Sequence, residues 1–365
     1  MSMLILAINP GSTSTKIAIY RDQECESEET FAYSAELLRS FPTIISQKEY
    51  RLQQIEDHLK AKGLSPKDFD AIVGRGGAIG PIKSGAYLVN QRLAKRLAFR
   101  PVGQHASNLG GVLAYELAQK GDIPAYVYDG VTVDELDDVA RITGLEGVRR
   151  FSRCHALNMR AVAMQTAEEM GKAYEDSNFV VAHLGGGITM SAHKKGRMAD
   201  VLIDSEGPLS PERAGRLPAT ILLKYMKAKN LSPQNVLEET RGRGGLVSLI
   251  GTNNVLEAQD RADQGDAEAE MALRAMCYQA AKGIGELSTV LCGDVDRIIL
   301  TGAIAKSKRI VEQISERVSF IAPVVVIPGE SELKALALGA LRVLQGKEEA
   351  HEYDERTDSI DRDMI

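Results

Sequence analysis

Three glycine-bearing turns, two loop arginines and a histidine are the residues of this chain whose types and spacing suit chemistry on phosphate. The first turn is Asn9-Pro10-Gly11-Ser12-Thr13-Ser14-Thr15-Lys16. Amides and hydroxyls in such a loop can surround phosphate oxygens, and a lysine can follow the charge of a moving phosphoryl group. Asn9, Ser12, Ser14 and Lys16 are the candidates there. The same run also makes an ordinary Asx-turn with Lys16 on a solvated edge. In His183-Leu184-Gly185-Gly186-Gly187, the three glycines let a ligand approach the backbone closely, or make a flexible bend. Thr301-Gly302-Ala303 is the weakest of the three, with Gly302 and Ala303 able to border a base or ribose.

Arg75 lies in Val73-Gly74-Arg75-Gly76-Gly77, and Arg213 in Leu209-Ser210-Pro211-Glu212-Arg213-Ala214-Gly215. A guanidinium fork holds a carboxylate or a phosphate through two hydrogen bonds, and the competing use is a loop-bracing ion pair. Among the six histidines, His105, His155 and His183 stand at element boundaries, whereas His58, His193 and His351 read as surface residues. His155 follows Arg149-Arg150 and opens a strongly helical run, so it is the preferred donor to a transferring phosphoryl group. A carboxylate acceptor is already ionised at neutral pH, so such a site needs no general base. Magnesium takes oxygen ligands, for which the strand-end carboxylates Asp129, Glu330 and Glu332 are candidates, with Asp204 and Glu206 qualifying by position. A strand-end carboxylate also serves as a turn cap.

These residues need elements to position them. Leu4 to Ile8 reads as a strand, Asn9-Pro10-Gly11 as a turn, and Lys16 to Tyr20 as a second strand, so the chain opens with a hairpin. Dinucleotide-binding and Walker-type folds need a helix at that point. Strands are expected at 70–74 and 125–128, and helices at 46–62, 90–99 and 104–119, giving one α/β domain over residues 1–150. The second domain, 151–330, opens with a helix at 156–170. A strand at 179–184, the glycine turn, and strands at 188–193 and 198–203 follow, loosely repeating the opening hairpin. Helices are expected at 217–227 and 271–291, and strands at 297–300 and 324–327. A helix at 331–345 is expected to pack back on the first domain, and 346–365 to form a loosely packed charged tail. Turns directly after apolar strands place ligands outside the strands' carboxyl ends, in a cleft between two such halves.

The 365 residues carry a net charge of −6 and no tryptophan, which offers neither a basic field nor stacking platforms for nucleic acid. Cys25, Cys154, Cys277 and Cys292 lack metal-ligand spacing and read as free thiols. No apolar run reaches the length of a membrane span and no leader is evident, so a cytoplasmic protein without membrane partners is expected.

The opening run Asn9 to Lys16 resembles that of the butyrate kinases, within the acetate kinase superfamily. Other segments are similar to that family in the same order: Gly74-Arg75-Gly76-Gly77, Gln104 to Leu109, Tyr128-Asp129, Cys154 to Asn158, His183 to Gly187, Glu206 to Gly215 and Pro328 to Leu333. The resemblance implies an α/β, actin-like (ribonuclease H-like) fold with duplicated domains around a nucleotide cleft. It implies ATP and ADP with Mg²⁺, and reversible phosphorylation of a butyrate-like carboxylate to an acyl phosphate. Asn9, Ser12, Ser14, Lys16 and the His183 loop would then contact phosphates, and Arg75 and Arg213 would grip substrate carboxylate and phosphoryl oxygens. His105 and Asn108 would lie on the substrate side, and His155 would stabilise the transition state. Asp129 would position metal or substrate, and Glu330 or Glu332 would hold Mg²⁺. A homo-oligomer is also implied. Departures are Ala303-Ile304-Ala305-Lys306 at the adenosine segment, Arg216 where an aspartate stands, and Arg75 directly before its glycines. The competing expectations are an acetate or propionate kinase with the same machinery, another actin-like phosphotransferase such as a sugar kinase, and a nucleotide-binding scaffold.

Overall fold

The computed structural model describes residues 2–353. Its first sheet contains β1 (Leu4–Pro10), β2 (Ser14–Arg21), β3 (Glu24–Ala32), β4 (Ala71–Arg75), β5 (Ala86–Leu88) and β6 (Ala125–Tyr128), ordered β3-β2-β1-β4-β6-β5. The second contains β7 (Asn178–Leu184), β8 (Ile188–Lys194), β9 (Arg197–Leu202), β10 (Arg297–Gly302) and β11 (Val324–Pro328), ordered β11-β10-β7-β8-β9. β1 is antiparallel to β2, β2 to β3, and β1 is parallel to β4, which is parallel to β6. β7 repeats this with β8, β9, β10 and β11. The repeated topology is the duplicated actin-like, ribonuclease H-like fold.

Both central strands are buried along their whole length, as strands covered on two faces must be. Alternate residues serve opposite faces. Leu4, Leu6 and Ile8 enter a core with helix Asn108–Gly121, while Ile5 and Ala7 enter another with helix Glu332–Leu344. That last helix, distant in sequence, packs on β1, β4 and β6 of the first sheet. Helix Asn108–Gly121 lies directly on β4, because a Cβ at Gly74 would fall 2.1 Å from the Gly110 carbonyl oxygen. This close approach fixes the end of β4, where Arg75 begins the site.

The structure revises several expectations. β3 is an edge strand of half-buried and exposed residues whose polar run carries no strand alternation in the sequence. His193 is not solvated: it lies fully buried on β8, 2.7 Å from both Tyr174 Oη and Ser191 Oγ. The tail is tied down through Tyr353. His351 exchanges backbone hydrogen bonds with Ala86 and Leu88, and Glu348 bonds Tyr128 and Arg342. Residues 354–365 of the expected tail lie outside the described residues. Helices Pro233–Thr240, Val255–Asp263 and Lys308–Val318 were not foreseen. Among the described residues, no helix is long and apolar enough to cross a membrane.

Candidate active site

The carboxyl ends of β1, β4, β7, β10 and β11 supply Asn9, Arg75, His183, Thr301 and Glu330. His155, just before helix Ala156–Glu169, completes a stacked pair with His183, ring centroids 3.8 Å apart and planes 10° from parallel. His155 Nδ1 lies 2.8 Å from Thr189 Oγ1. Asn158, one helical turn on, lies with its amide nitrogen 3.0 Å from His183 Nδ1 and 3.1 Å from Thr301 Oγ1. A proton donated to His183 Nδ1 leaves the ring's own proton on Nε2, 3.0 Å from Glu330 Oε1. That contact has hydrogen-bond length but poor alignment, so its attraction is chiefly electrostatic.

The pair is electrically tuned. Burial pushes the His155 imidazole down to about 3, with His183, Arg75 and Arg213 pushing the same way and Glu330 opposing. His155 is therefore neutral at physiological pH, and its proton sits on one nitrogen only. Donation from Nε2 to a phosphoryl oxygen requires the Thr189 hydroxyl to donate to Nδ1. The facing His183 holds the Glu330 carboxyl down to about 2 against the opposing effect of burial.

On the first domain's side, Arg75 grips Glu332 with both ends of its fork, Nη1 to Oε2 at 2.9 Å and Nη2 to Oε1 at 2.8 Å. Asn9 Nδ2 donates to the same Oε2 at 2.6 Å. Lys16 stands opposite Asn9 in the hairpin and lines, with Asn9, Glu330 and Glu332, a cavity of about 250 Å³. The hairpin turn is fixed from beneath by buried Arg51, whose Nη1 donates to Gly11 O, Ser14 O and Thr15 Oγ1, each at 3.0 Å. Ser12 is exposed and Ser14 half-buried above it.

On the other side, the Gly185–Gly187 turn and the Arg213 segment form one unit. Gly186 O accepts from Glu212 N at 3.1 Å and from Ser210 Oγ at 2.8 Å. A Cβ on Gly186 would meet nothing nearer than Glu212 at 3.5 Å, and one on Gly187 nothing nearer than Arg213 Cγ at 3.9 Å. Internal packing therefore does not demand these two glycines; the space beside their backbone suits a ligand. Arg213 donates from Nη1 to Glu212 O at 3.1 Å and makes long ion pairs with Glu212 at 3.5 Å and with Asp204 at 3.7 Å, Asp204 also pairing with Arg241 at 3.1 Å.

The structure gives several of the expected site residues internal partners. Asp129 is buried, and Arg160 Nη1 bonds both its oxygens at 2.9 and 2.8 Å while Gly85 N donates at 2.7 Å. Its acceptor sites are occupied inside the protein, so in this structure it braces the end of β6. Glu332 is likewise committed to Arg75, and Arg75 has no free fork for substrate while that pair stands. Asn108 accepts from Ala78 N at 2.9 Å and donates to Gly103 O at 2.8 Å. His105 is exposed on that same loop, its Nδ1 2.9 Å from Ser107 Oγ. Gly302 is required by packing, since a Cβ there would lie 2.4 Å from Leu184 O, while Ala303 is exposed. Thr189, Asn158, Arg51 and Arg160 escaped the sequence reading. Asn158 alone gave a signal, three residues after His155 on a helix and so on the same face.

The Acetokinase family model matches residues 140–325, half of the chain. The chain belongs to the acetokinase family. Among solved structures, it is similar to Porphyromonas gingivalis acetate kinase, with 19% identity over 94% of this chain and 100% of that one and a TM-score of 0.79. Entamoeba histolytica acetate kinase gives 15% identity over 95% and 99%, with a TM-score of 0.74. A propionate kinase from Francisella tularensis gives 17% over 92% and 98%, with a TM-score of 0.70. These three solved structures share the fold of this chain.

Magnesium and ATP are implied by the family. Among the described residues, no group of three or more His, Cys, Asp and Glu side chains stands together as a metal site. A nucleotide-borne magnesium needs fewer, since it keeps water and phosphate oxygens and takes one or two carboxylates. Glu330 fits that requirement: ionised, partly exposed and facing the histidine pair.

Proposed function

We propose that this chain transfers the terminal phosphoryl group of ATP to the carboxylate of a short-chain acid, reversibly forming an acyl phosphate. The observation that carries this reading is the convergence of the His155–His183 pair, Glu330, Arg75 and Arg213 beside two open glycine turns. Glu330 would hold the nucleotide's Mg²⁺, which offsets phosphate charge when bound. The amides of Gly186 and Gly187 and the Ser12 and Ser14 hydroxyls would seat phosphate oxygens, and Lys16 would track their charge. His155 would donate from Nε2 to the planar phosphoryl group, while Arg213 would exchange its long ion pairs with Asp204 and Glu212 for the phosphoryl oxygens. Closure of the two sheets' helices over the acid would exclude water as a competing acceptor.

Acetate and propionate are the acids named for the similar proteins, and they are the first substrates to test. The longer acids, butyrate and isobutyrate, have separate support. A cavity of about 140 Å³ is lined by Ala78, Pro81, Val102 and Phe151 among others, and by Arg153, two residues before His155 in the chain. Cavities of about 150 Å³ admit a benzene-sized guest, well above a methyl group. The test is a series of initial rates with acids of two to five carbons, with glycerol and glucose as hydroxyl controls. The proposal expects turnover of one or more acids and none of the polyols; polyol turnover alone would replace it with a sugar-kinase reading.

A further inference from the structure

We propose that Arg153 holds the carboxylate of the acid substrate, with the substrate's acyl chain in the adjoining 140 Å³ cavity; this rests on the carboxylate-kinase reading. Arg75 cannot serve while its fork is filled by Glu332. Arg153 is exposed and, among the described residues, makes no hydrogen bond or ion pair. It lines the cavity together with Ala78, Val102, Gly103 and Phe151. The cavity's other charged residue, Asp134, is already neutralised: it pairs with Arg141 at 2.8 Å and accepts from Ser152 N at 3.1 Å. Arg153 is thus the one charge at this cavity without an internal counterpart. It stands two residues before His155 in the chain, and the Arg213 charge acts on both.

The surroundings add to the demand for an anion. Desolvation first, and then the charges of Arg241 and Arg213 against that of Asp204, lower the affinity of Arg153 for a proton. Arginine stays charged under such a shift. Three guanidinium groups face two carboxylates, Asp204 and Glu212, which leaves one positive charge over for a substrate carboxylate to balance. Arg213 would then attend the phosphoryl group and Arg153 the acceptor. A guanidinium recognises the planar, bidentate carboxylate and discriminates strongly against the uncharged amide of the same shape.

The test uses the full-length protein and compares wild type, Arg153→Ala and Arg153→Lys. Calorimetric titrations with propionate and butyrate are set beside their primary amides, and kinetics are recorded with acid varied at saturating ATP and with ATP varied at saturating acid. The expected result is that wild type binds acid over amide. In Arg153→Ala, the Kd and KM for acid should rise about 30-fold or more, with amide binding and the KM for ATP within about threefold of wild type. Arg153→Lys should recover part of the loss. A folded Arg153→Ala protein, with unchanged circular dichroism and Tm, that keeps its preference for acid would overturn the inference. So would equal weakening of acid and amide, or a wild type that binds neither. Wild type that binds acid through Arg153 yet forms no acyl phosphate would sink the kinase reading alone.

Discussion

At the scale of single residues, the hydrogen-bond partners of the histidines decide what they can do. Thr189→Val keeps the shape beside His155 but removes the hydroxyl that sets which ring nitrogen carries the proton. We expect kcat to fall about 10- to 100-fold with the KM for ATP little changed, because only transition-state donation is lost. An unchanged kcat would remove the tautomer argument. The acid response follows from two imidazoles, half-buried His155 and fully buried His193, each held down to about 3, His193 by burial and the Arg160 charge. Below the ordinary value of about 6.5, the unfolded chain takes up protons that these folded imidazoles refuse. Stability should therefore fall as pH drops from about 6.5 towards 3, by about 1.4 kcal/mol per pH unit for each imidazole. Glu330 adds to the loss below its ordinary value of 4.5, until its carboxyl protonates near 2. Thermal melts between pH 8 and 4 check the sign, and His193→Gln should flatten the slope if it folds.

At the scale of elements, two turns are held by side chains from elsewhere in the chain. Arg51 reaches from helix Lys48–Ala61 to three oxygens of the opening hairpin, with Tyr33 stacked 4.6 Å from its guanidinium carbon. Arg51→Ala should cost on the order of 3 kcal/mol in urea unfolding, since buried carbonyls lose a charged donor. A loss below about 1 kcal/mol would mean that the hairpin closes without it. The hairpin itself was legible: apolar runs flank Asn9-Pro10-Gly11, and turn chemistry is local. Arg51 was not, because it lies in a polar helix and its partners are nearly forty residues away. His193 shows the same limit. Lys194 and Lys195 beside it suggest solvent, but strand alternation puts neighbours on opposite faces. β3 was missed because an edge strand has no apolar rhythm to read. The Arg213 and His155 segments were legible as glycine- or helix-bounded loops rich in charge. Glu332's pairing with Arg75 depends on two elements 257 residues apart meeting in space.

At the scale of the whole molecule, the site is a meeting of two sheets, and the joint between them is a buried ion network. Arg160 of helix Ala156–Glu169 holds Asp129 at the end of β6, while Tyr128 bonds Glu348 and Arg342 from the chain's last described segments. Asp129→Asn would leave the Arg160 charge uncompensated at full burial, and should destabilise the protein by about 3–5 kcal/mol. Fluorescence-monitored or calorimetric unfolding measures it, and a near-neutral change would return Asp129 to the list of substrate-facing groups. The homo-oligomer implied by the family resemblance is a separate proposal, open to light scattering.

The central claim is that opposing turns surround a phosphoryl group on its way to a carboxylate. The most direct measurement is hydroxylamine trapping of the product formed from ATP, Mg²⁺ and a short acid, with wild type and Arg213→Ala side by side. The account predicts an acyl hydroxamate from wild type, and a loss of about a hundredfold or more in the folded variant. ADP release without hydroxamate in wild type, or equal hydroxamate from both proteins, would contradict it.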